Sequence, residues 1–222
     1  GGHAMECRAL VADYDSSRRH LTVWNATQMP HRAQMILTRC LGMAEADVRV
    51  VPPDVGGGFG PKFVFYSEEV SVPLASKLLK RPVKWIEDRR EHFTATTQER
   101  DQFWNVEVAV DEKGCLIGIR GDLVHDHGAY TPYGLALAQN STSNLLGPYK
   151  LPNYDLKVRM ALTNLIPATP TRGAGRPQGT FVMERLLDRV AGELKLDRAE
   201  VRRRNFIAAD EMPYATPVVT RD

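Results

Sequence analysis

The sequence predicts a mixed α/β architecture of the α+β kind, with possible lobes at residues 5–100 and 101–222. Three observations carry this. Segments of helical and strand periodicity alternate along the chain, at least one pair of strands is joined by a hairpin turn, and two glycine-rich stretches each lead into a helix. The length of 222 residues suits one large domain or two small ones.

Arg8 to Tyr14 and Leu21 to Trp24 read as strands, with Asp15-Ser16-Ser17 as the turn between them. Asn25 to Gln28 is a polar break. Ala33, Ile36, Leu37, Cys40 and Leu41 then share one helical face; Pro30 suits the first turn and Gly42 a left-handed stop. Val48 to Val51 reads as a short buried strand. Ser67, Glu68 and Glu69 start a second helix, whose expected buried stripe is Leu74, Ala75, Leu78 and Leu79. Pro82 ends it, Val83 to Ile86 is a strand, and the five charges from Glu87 to Glu91 read as a solvated turn.

Val106 to Val110 and Leu116 to Val124 flank Asp111-Glu112-Lys113-Gly114, a hairpin signal. The second strand runs into His125 and His127, which share one face of a strand. A metal there is conceivable, but no third ligand lies nearby, so two ordinary histidines are the better reading. Gly134 to Leu146 has weak helical character, Tyr154 to Leu162 alternates as a strand, and Ile166 to Pro177 is a loop. Met183, Leu186, Leu187, Val190, Ala191 and Leu194 form the best helical stripe in the chain. Asp197 with Glu200 starts a last short helix, and Arg202-Arg203-Arg204 reads as its solvated end.

A net charge of +2 argues against nucleic acid, and no apolar run approaches a membrane span. Cys7, Cys40 and Cys115 are widely separated, so the chain encodes neither a zinc site nor an iron–sulfur cluster; sparse, unpaired cysteines fit a cytoplasmic setting. Residues 1–4 read as a cloning scar. The finish in Thr216 to Thr220, without a closing element, suggests a piece of a longer polypeptide.

The stretch Asp54 to Lys62 is the centre of the chain. Gly56, Gly57, Gly58 and Gly60 permit a backbone no side chain would tolerate, and consecutive N–H groups there can converge on an anion or an oxo group. Phe59 is held between them. Taken alone, the stretch is as well read as a strand–turn–helix connection. It is not a Walker loop, because Pro61 precedes Lys62 and Phe63 follows it. A second stretch, Thr171 to Gly179, lacks the dinucleotide-fingerprint spacing.

Together with Thr27-Gln28, these two stretches resemble the molybdenum-cofactor-binding part of the xanthine dehydrogenase/aldehyde oxidase family, including large subunits of the carbon monoxide dehydrogenase type. The resemblance covers residues 5–222 and implies the first half of a two-lobed cofactor-binding region, with Gln28 and both loops converging on a cleft. It implies that Gln28 hydrogen-bonds an oxo ligand of molybdenum. It places the Phe59 backbone near the metal centre, Arg172 beside it, and Gly57, Gly58, Gly60, Gly173 and Ala174 around the cofactor. That cofactor is molybdopterin, in its plain or cytosine dinucleotide form. The implied reaction is hydroxylation of an aldehyde or an aromatic N-heterocycle with oxygen from water. Electrons leave through iron–sulfur and FAD partner domains or subunits, and the general-base glutamate lies in the remaining half of the large subunit. The chain alone is then inactive.

Departures narrow the substrate. Phe63 stands where xanthine dehydrogenases carry a glutamate, and Ala174 where they carry an aromatic residue, which argues against purines. Gly173 stands where carbon monoxide dehydrogenases carry a cysteine, which argues against a copper–sulfur–molybdenum centre. Two other readings are a non-catalytic cofactor-binding or assembly module, and a nucleotide-phosphate binder using the Gly56–Gly60 loop.

Overall fold

The computed structural model describes residues 2–218. Gly1 of the amino-terminal tetrapeptide, and Val219 and Thr220 of the final run, lie outside the described residues. The chain forms two compact units, the first from Gly1–Glu99 with Thr169–Arg172 and the second from Arg100–Ala168 with Gly173–Asp222.

In the first unit, β1 (Ala9–Asp15) and β2 (His20–Asn25) form the expected antiparallel hairpin. Asp15 Oδ1 closes the turn by accepting the N–H groups of Ser17 and Arg18. α1 (Pro30–Leu41) is the crossover that a parallel pairing of β2 with β3 (Val48–Val51) requires. It starts on Pro30 and stops at Gly42, whose φ is 60°. Ala33 and Leu37 are buried and Cys40, at the edge of the predicted face, is exposed. Leu37 packs with Leu10, Ala12, Leu21, Val23 and Val48; each fully buried Leu or Val contributes about 1.5–3 kcal/mol.

α2 (Glu68–Leu79) and β4 (Val83–Ile86) complete the unit's main frame, giving a sheet of order β3-β2-β1-β4. Here the expected stripe is on the wrong side. Leu74, Leu78 and Leu79 are exposed, and the buried positions are Glu69, Pro73 and Ser76. The helix is docked by polar groups that apolar periodicity does not register. Glu69 accepts from Asn25 Nδ2 at 2.6 Å and from the Tyr66 N–H at 2.8 Å, and the Tyr14 N–H donates to Ser76 Oγ at 3.0 Å. Burial pushes the Glu69 carboxyl above its usual range. Ser67, expected as the cap, makes no side-chain cap bond; the Glu69 carboxylate takes the Tyr66 N–H instead.

The charged run from Glu87 is a second correction. Glu87 is buried, and the residues after it form α3 (Arg89–Ala95), started by a reciprocal capping box between Asp88 and Glu91. Arg8 grips Glu87 through Nε and Nη2 at 2.9 and 2.6 Å and through its backbone N–H at 3.0 Å. His92 Nδ1 adds a contact at 2.8 Å, and the Arg8 guanidinium lies 3.8 Å from the centre of the Tyr66 ring. Burial alone would raise the Glu87 carboxyl, but Arg8 and His92 hold it below the usual range.

In the second unit, β5 (Gln102–Val110) and β6 (Leu116–Gly128) form a hairpin turned by Asp111, whose Oδ1 accepts the N–H groups of Lys113 and Cys115. α4 (Ala136–Ser143) lies in the crossover to β7 (Tyr154–Leu162), which runs parallel to β6. α5 (Arg176–Leu194) buries Met183, Leu186, Leu187, Val190 and Ala191 against Leu116, Ile119, Leu145 and Leu151. α6 (Arg198–Asn205) is capped by Asp197, which accepts the Glu200 N–H at 2.9 Å. Its arginines are not simply solvated. Arg202 bonds Glu184 at 2.7 Å and Asp188 at 3.0 Å, whereas Arg203 and Arg204 pair with Glu200. Among the described residues, no helix is long and apolar enough to cross a membrane.

Glu87→Ala leaves the buried Arg8 guanidinium with only its longer contact to Glu68 at 3.4 Å and is expected to cost about 3 kcal/mol of stability; Leu78→Ser, on the exposed face of α2, should stay within about 0.5 kcal/mol. Because the folded carboxyl of Glu87 sits below its unfolded range, its contribution is present above that range and lost as pH falls through the lowered value. Urea titrations at neutral and acidic pH check both variants, and equal losses would contradict the assignment of faces.

Candidate functional site

After β3 the chain enters the glycine loop. Phe59 has φ 53° and the flanking Gly57 and Gly60 have φ 98° and 104°. Left-handed backbone at a phenylalanine is uncommon and needs support from its surroundings. The support comes from the neighbours of the loop. The Phe59 carbonyl accepts the Arg172 N–H at 2.9 Å, and the Arg172 guanidinium lies 5.4 Å from the centre of the Phe59 ring. Segment 169–172 is fastened in turn: the Thr169 N–H donates to the Gln98 carbonyl at 2.8 Å, and the Thr171 N–H to Glu99 Oε2 at 3.1 Å.

Close approach explains the glycines. A Cβ on Gly60 would strike the carbonyl oxygen of Pro170 and come within 2.7 Å of Thr171 Cα, both backbone atoms. A Cβ on Gly58 would strike the Gln28 side chain. Gly57 would place one 2.7 Å from the Phe59 ring.

Gln28 is fixed at both ends. Its N–H donates to the Lys62 carbonyl at 2.9 Å, and its Oε1 accepts the Gly60 N–H at 2.9 Å. A backbone N–H only donates, so the atom facing the Gly60 N–H is the amide oxygen, and Nε2 remains as a donor. The N–H groups of Gly58 and Phe59 take part in none of the loop's internal bonds.

Thus Gln28, Gly57, Gly58, Phe59, Gly60 and Arg172 meet within the first unit. Gly173 and Ala174 belong to the second. There Gly173, Ala174 and Gly175 have φ 106°, 52° and 89°, and the Arg176 N–H returns to the Gly173 carbonyl at 3.1 Å as α5 begins. A Cβ on Gly173 would meet the Pro177 ring at 2.5 Å.

Two residues at the loop escaped sequence reasoning. Lys62 is fully buried and bonds Glu6 at 2.6 Å; Glu6 also accepts the Gly56 N–H at 2.8 Å. The readable signal was a lysine two residues after the last glycine of the loop. Its partner Glu6 follows Gly2 and Ala4, which are buried, and the Gly2 carbonyl faces His92 Nε2 at 3.2 Å.

His125 and His127 are buried side by side, with ring centres 5.5 Å apart and no partner on any ring nitrogen among the described residues. Burial lowers both below the usual histidine range, and for His125 the neighbouring His127 adds to it. Among the described residues, the three-residue group close enough to share a metal is Cys7, Glu87 and His92, and there Glu87 is already taken by Arg8.

The donors that the loop's own bonds leave unused are therefore the Gly58 and Phe59 N–H groups and the Gln28 NH2, with the Arg172 cation near the Phe59 ring. This is a donor set, suited to an acceptor-rich, anionic ligand. Residues 2–206 match the family described as "Molybdopterin cofactor-binding domain". The chain belongs to this family. The donor set fits such a group, since a pterin with phosphate and oxo oxygens offers acceptors. The nicotine 6-hydroxylase large subunit of Paenarthrobacter nicotinovorans is 39% identical over 96% of this chain and 26% of its own length. The carbon monoxide dehydrogenase large chain of Hydrogenophaga pseudoflava is 34% identical over 96% of this chain and 27% of its own. Among solved structures, quinoline 2-oxidoreductase from Pseudomonas putida 86 superposes with a TM-score of 0.91 at 34% identity, over 96% of this chain and 28% of that one. The chain spans about a quarter of the length of the curated relatives it matches.

Gly60→Ala and Gly58→Ala should therefore differ. The first forces backbone against backbone at a positive φ and should cost about 1–3 kcal/mol and abolish cofactor retention. The second meets only a side chain and should displace Gln28 while leaving more cofactor bound. Molybdenum and pterin assays on the complete polypeptide, with thermal unfolding, check the order; equal retention in the two variants would contradict it.

Proposed function

We propose that this chain is the loop-bearing part of the large subunit of a molybdenum hydroxylase acting on an aldehyde or aromatic N-heterocycle with oxygen from water. The observation that carries the reading is the donor cluster of Gly58, Phe59 and Gln28, held beside Gly60, whose backbone lies too close to Pro170 to admit a side chain. When bound, the molybdenum cofactor, as molybdopterin or its cytosine dinucleotide, supplies the redox chemistry. The protein's part is to bind and orient. Gln28 would donate through Nε2, the Phe59 and Gly58 amides through their N–H groups, and Arg172 would supply positive charge. Gly173 and Ala174 would shape the second loop.

Glu6, the carboxylate that touches the glycine loop, is committed to Lys62 and Gly56, and those two partners hold it below the usual carboxylate range against the effect of burial. It is unsuited to act as a general base. The base is assigned to polypeptide outside this chain, which would be inactive alone. Three scattered cysteines supply no iron–sulfur cluster, so electrons would leave through iron–sulfur and flavin partners.

The N-heterocycle arm is supported by two relatives whose names carry nicotine and quinoline. Phe63, half exposed at the end of the short turn Pro61–Phe63, is aromatic at the position where the family resemblance implies a glutamate in xanthine dehydrogenases.

The test is metal and pterin analysis of the complete polypeptide followed by steady-state assays. Molybdenum with pterin is expected, together with faster turnover of apolar heteroaromatics or aromatic aldehydes than of hypoxanthine. Gln28→Ala should retain cofactor and lower kcat by about 10²-fold, as loss of one preorganised donor does. Bound nucleotide without molybdenum or pterin would overturn the reading; hypoxanthine as the preferred substrate would overturn the substrate class.

A further inference from the structure

The glycine loop is anchored by a part-buried ion pair that bonds neither the Gln28 side-chain amide nor the Gly58 and Phe59 N–H groups. Lys62 Nζ bonds Glu6 Oε2 at 2.6 Å; the lysine side chain is 0% exposed and the glutamate 38%. The same carboxylate oxygen accepts the Gly56 N–H at the loop's entrance, and the Glu6 N–H donates to the Gly56 carbonyl at 3.2 Å. At the loop's exit, the Lys62 carbonyl accepts the Gln28 N–H at 2.9 Å and the Thr27 hydroxyl at 3.3 Å. The pair thus joins both ends of the loop and the Gln28 backbone.

Residues 2–6, which supply Glu6, are themselves held down by α3. Arg89 Nη2 bonds the Ala4 carbonyl at 2.6 Å and the Met5 carbonyl at 2.8 Å, and His92 Nε2 faces the Gly2 carbonyl. The strap sits tightly against the loop. A Cβ on Gly56 would lie 2.5 Å from Glu6 Cβ, and one on Gly2 would lie 2.7 Å from Pro61 Cδ. The loop's strained conformation, with Phe59 at φ 53°, therefore has a specific external support.

We infer that Glu6 and Lys62 are a positioning pair: through the strap of residues 2–6 they hold the Gly56–Gly60 loop and Gln28 in the shape that receives an acceptor-rich cofactor, before that cofactor arrives. The assignment of the ligand rests on the function proposed above; the loop-setting role does not. The pair is asymmetric. Removing the glutamate leaves an ammonium group sealed from water, whereas removing the lysine leaves a carboxylate that still reaches solvent and still accepts the Gly56 N–H. An apolar double replacement leaves no buried charge.

The experiment compares Glu6→Leu, Lys62→Met and the double variant in the complete polypeptide. It reads thermal unfolding, hydrogen exchange of peptides covering residues 25–30 and 54–66, and molybdenum and pterin content. Glu6→Leu should lower the unfolding temperature more than Lys62→Met, and the double variant should recover part of that loss. The loop peptides of the double variant should still exchange about tenfold faster or more than wild type, with peptides from α5 unchanged, and its cofactor content should stay low. Recovery of stability without recovery of loop protection separates positioning from mere structural support. Wild-type loop protection and cofactor content in the double variant would overturn the inference. Loosened loops in a protein whose wild type holds no molybdenum or pterin would uphold the positioning role and overturn the functional reading instead.

Discussion

The Gly60 backbone lies against Pro170 and Thr171 at a separation that excludes any side chain, and the neighbouring Phe59 carbonyl takes the Arg172 N–H. This contact brings a tetrapeptide from late in the sequence into the first unit. The rest of the site follows from it. The Phe59 carbonyl is tied to Arg172, so the left-handed turn at Phe59 has a partner. The Gly60 N–H faces Gln28 and fixes the sense of its amide. The Gly58 and Phe59 N–H groups are left as the groups a ligand can use. A chain with alanine at position 60 has no way to satisfy all of these at once.

Around that contact, the first unit relies on buried charge more than its composition suggests. Arg8 with Glu87 and His92, Lys62 with Glu6, and Glu69 with Asn25 each withdraw an ionisable group from water and satisfy it with directional bonds. Such pairs add little net stability over well-packed apolar residues, but breaking one is costly. Their value here is geometric. Each connects segments distant in sequence: the strap to the loop, the residue before β1 to the start of α3, and β2 to α2.

Elements with strong periodicity and recognisable ends were legible in the sequence. The β1–β2 hairpin, α1 between Pro30 and Gly42, the turn at Asp111 and the stripe of α5 all appear where local chemistry places them. α2 and α3 were misread for one physical reason. Their buried faces carry Glu69, Ser76, Glu87 and His92, which count as polar in any hydrophobic pattern and are buried only because partners elsewhere satisfy them. Arg202 was misread in the same way, since Glu184 and Asp188 lie on another helix. In the site, the sequence named Gln28, Phe59 and Arg172 through family resemblance. Glycine spacing alone does not reveal that Gly60 packs on Pro170, and Glu6 and Lys62 went unnamed because a pair contact is not a local property.

The central claim is that the unused donors of Gly58, Phe59 and Gln28 receive the molybdenum cofactor. The direct measurement is an experimental structure of the complete polypeptide purified with its cofactor. The account predicts the metal-bearing end of the pterin against the Phe59 and Gly58 N–H groups, within hydrogen-bond reach of Gln28 Nε2, with Arg172 beside it and the Glu6–Lys62 pair intact beneath the loop. Cofactor bound elsewhere, or a loop whose Phe59 N–H turns inward with Gln28 swung away from Gly60, would contradict it.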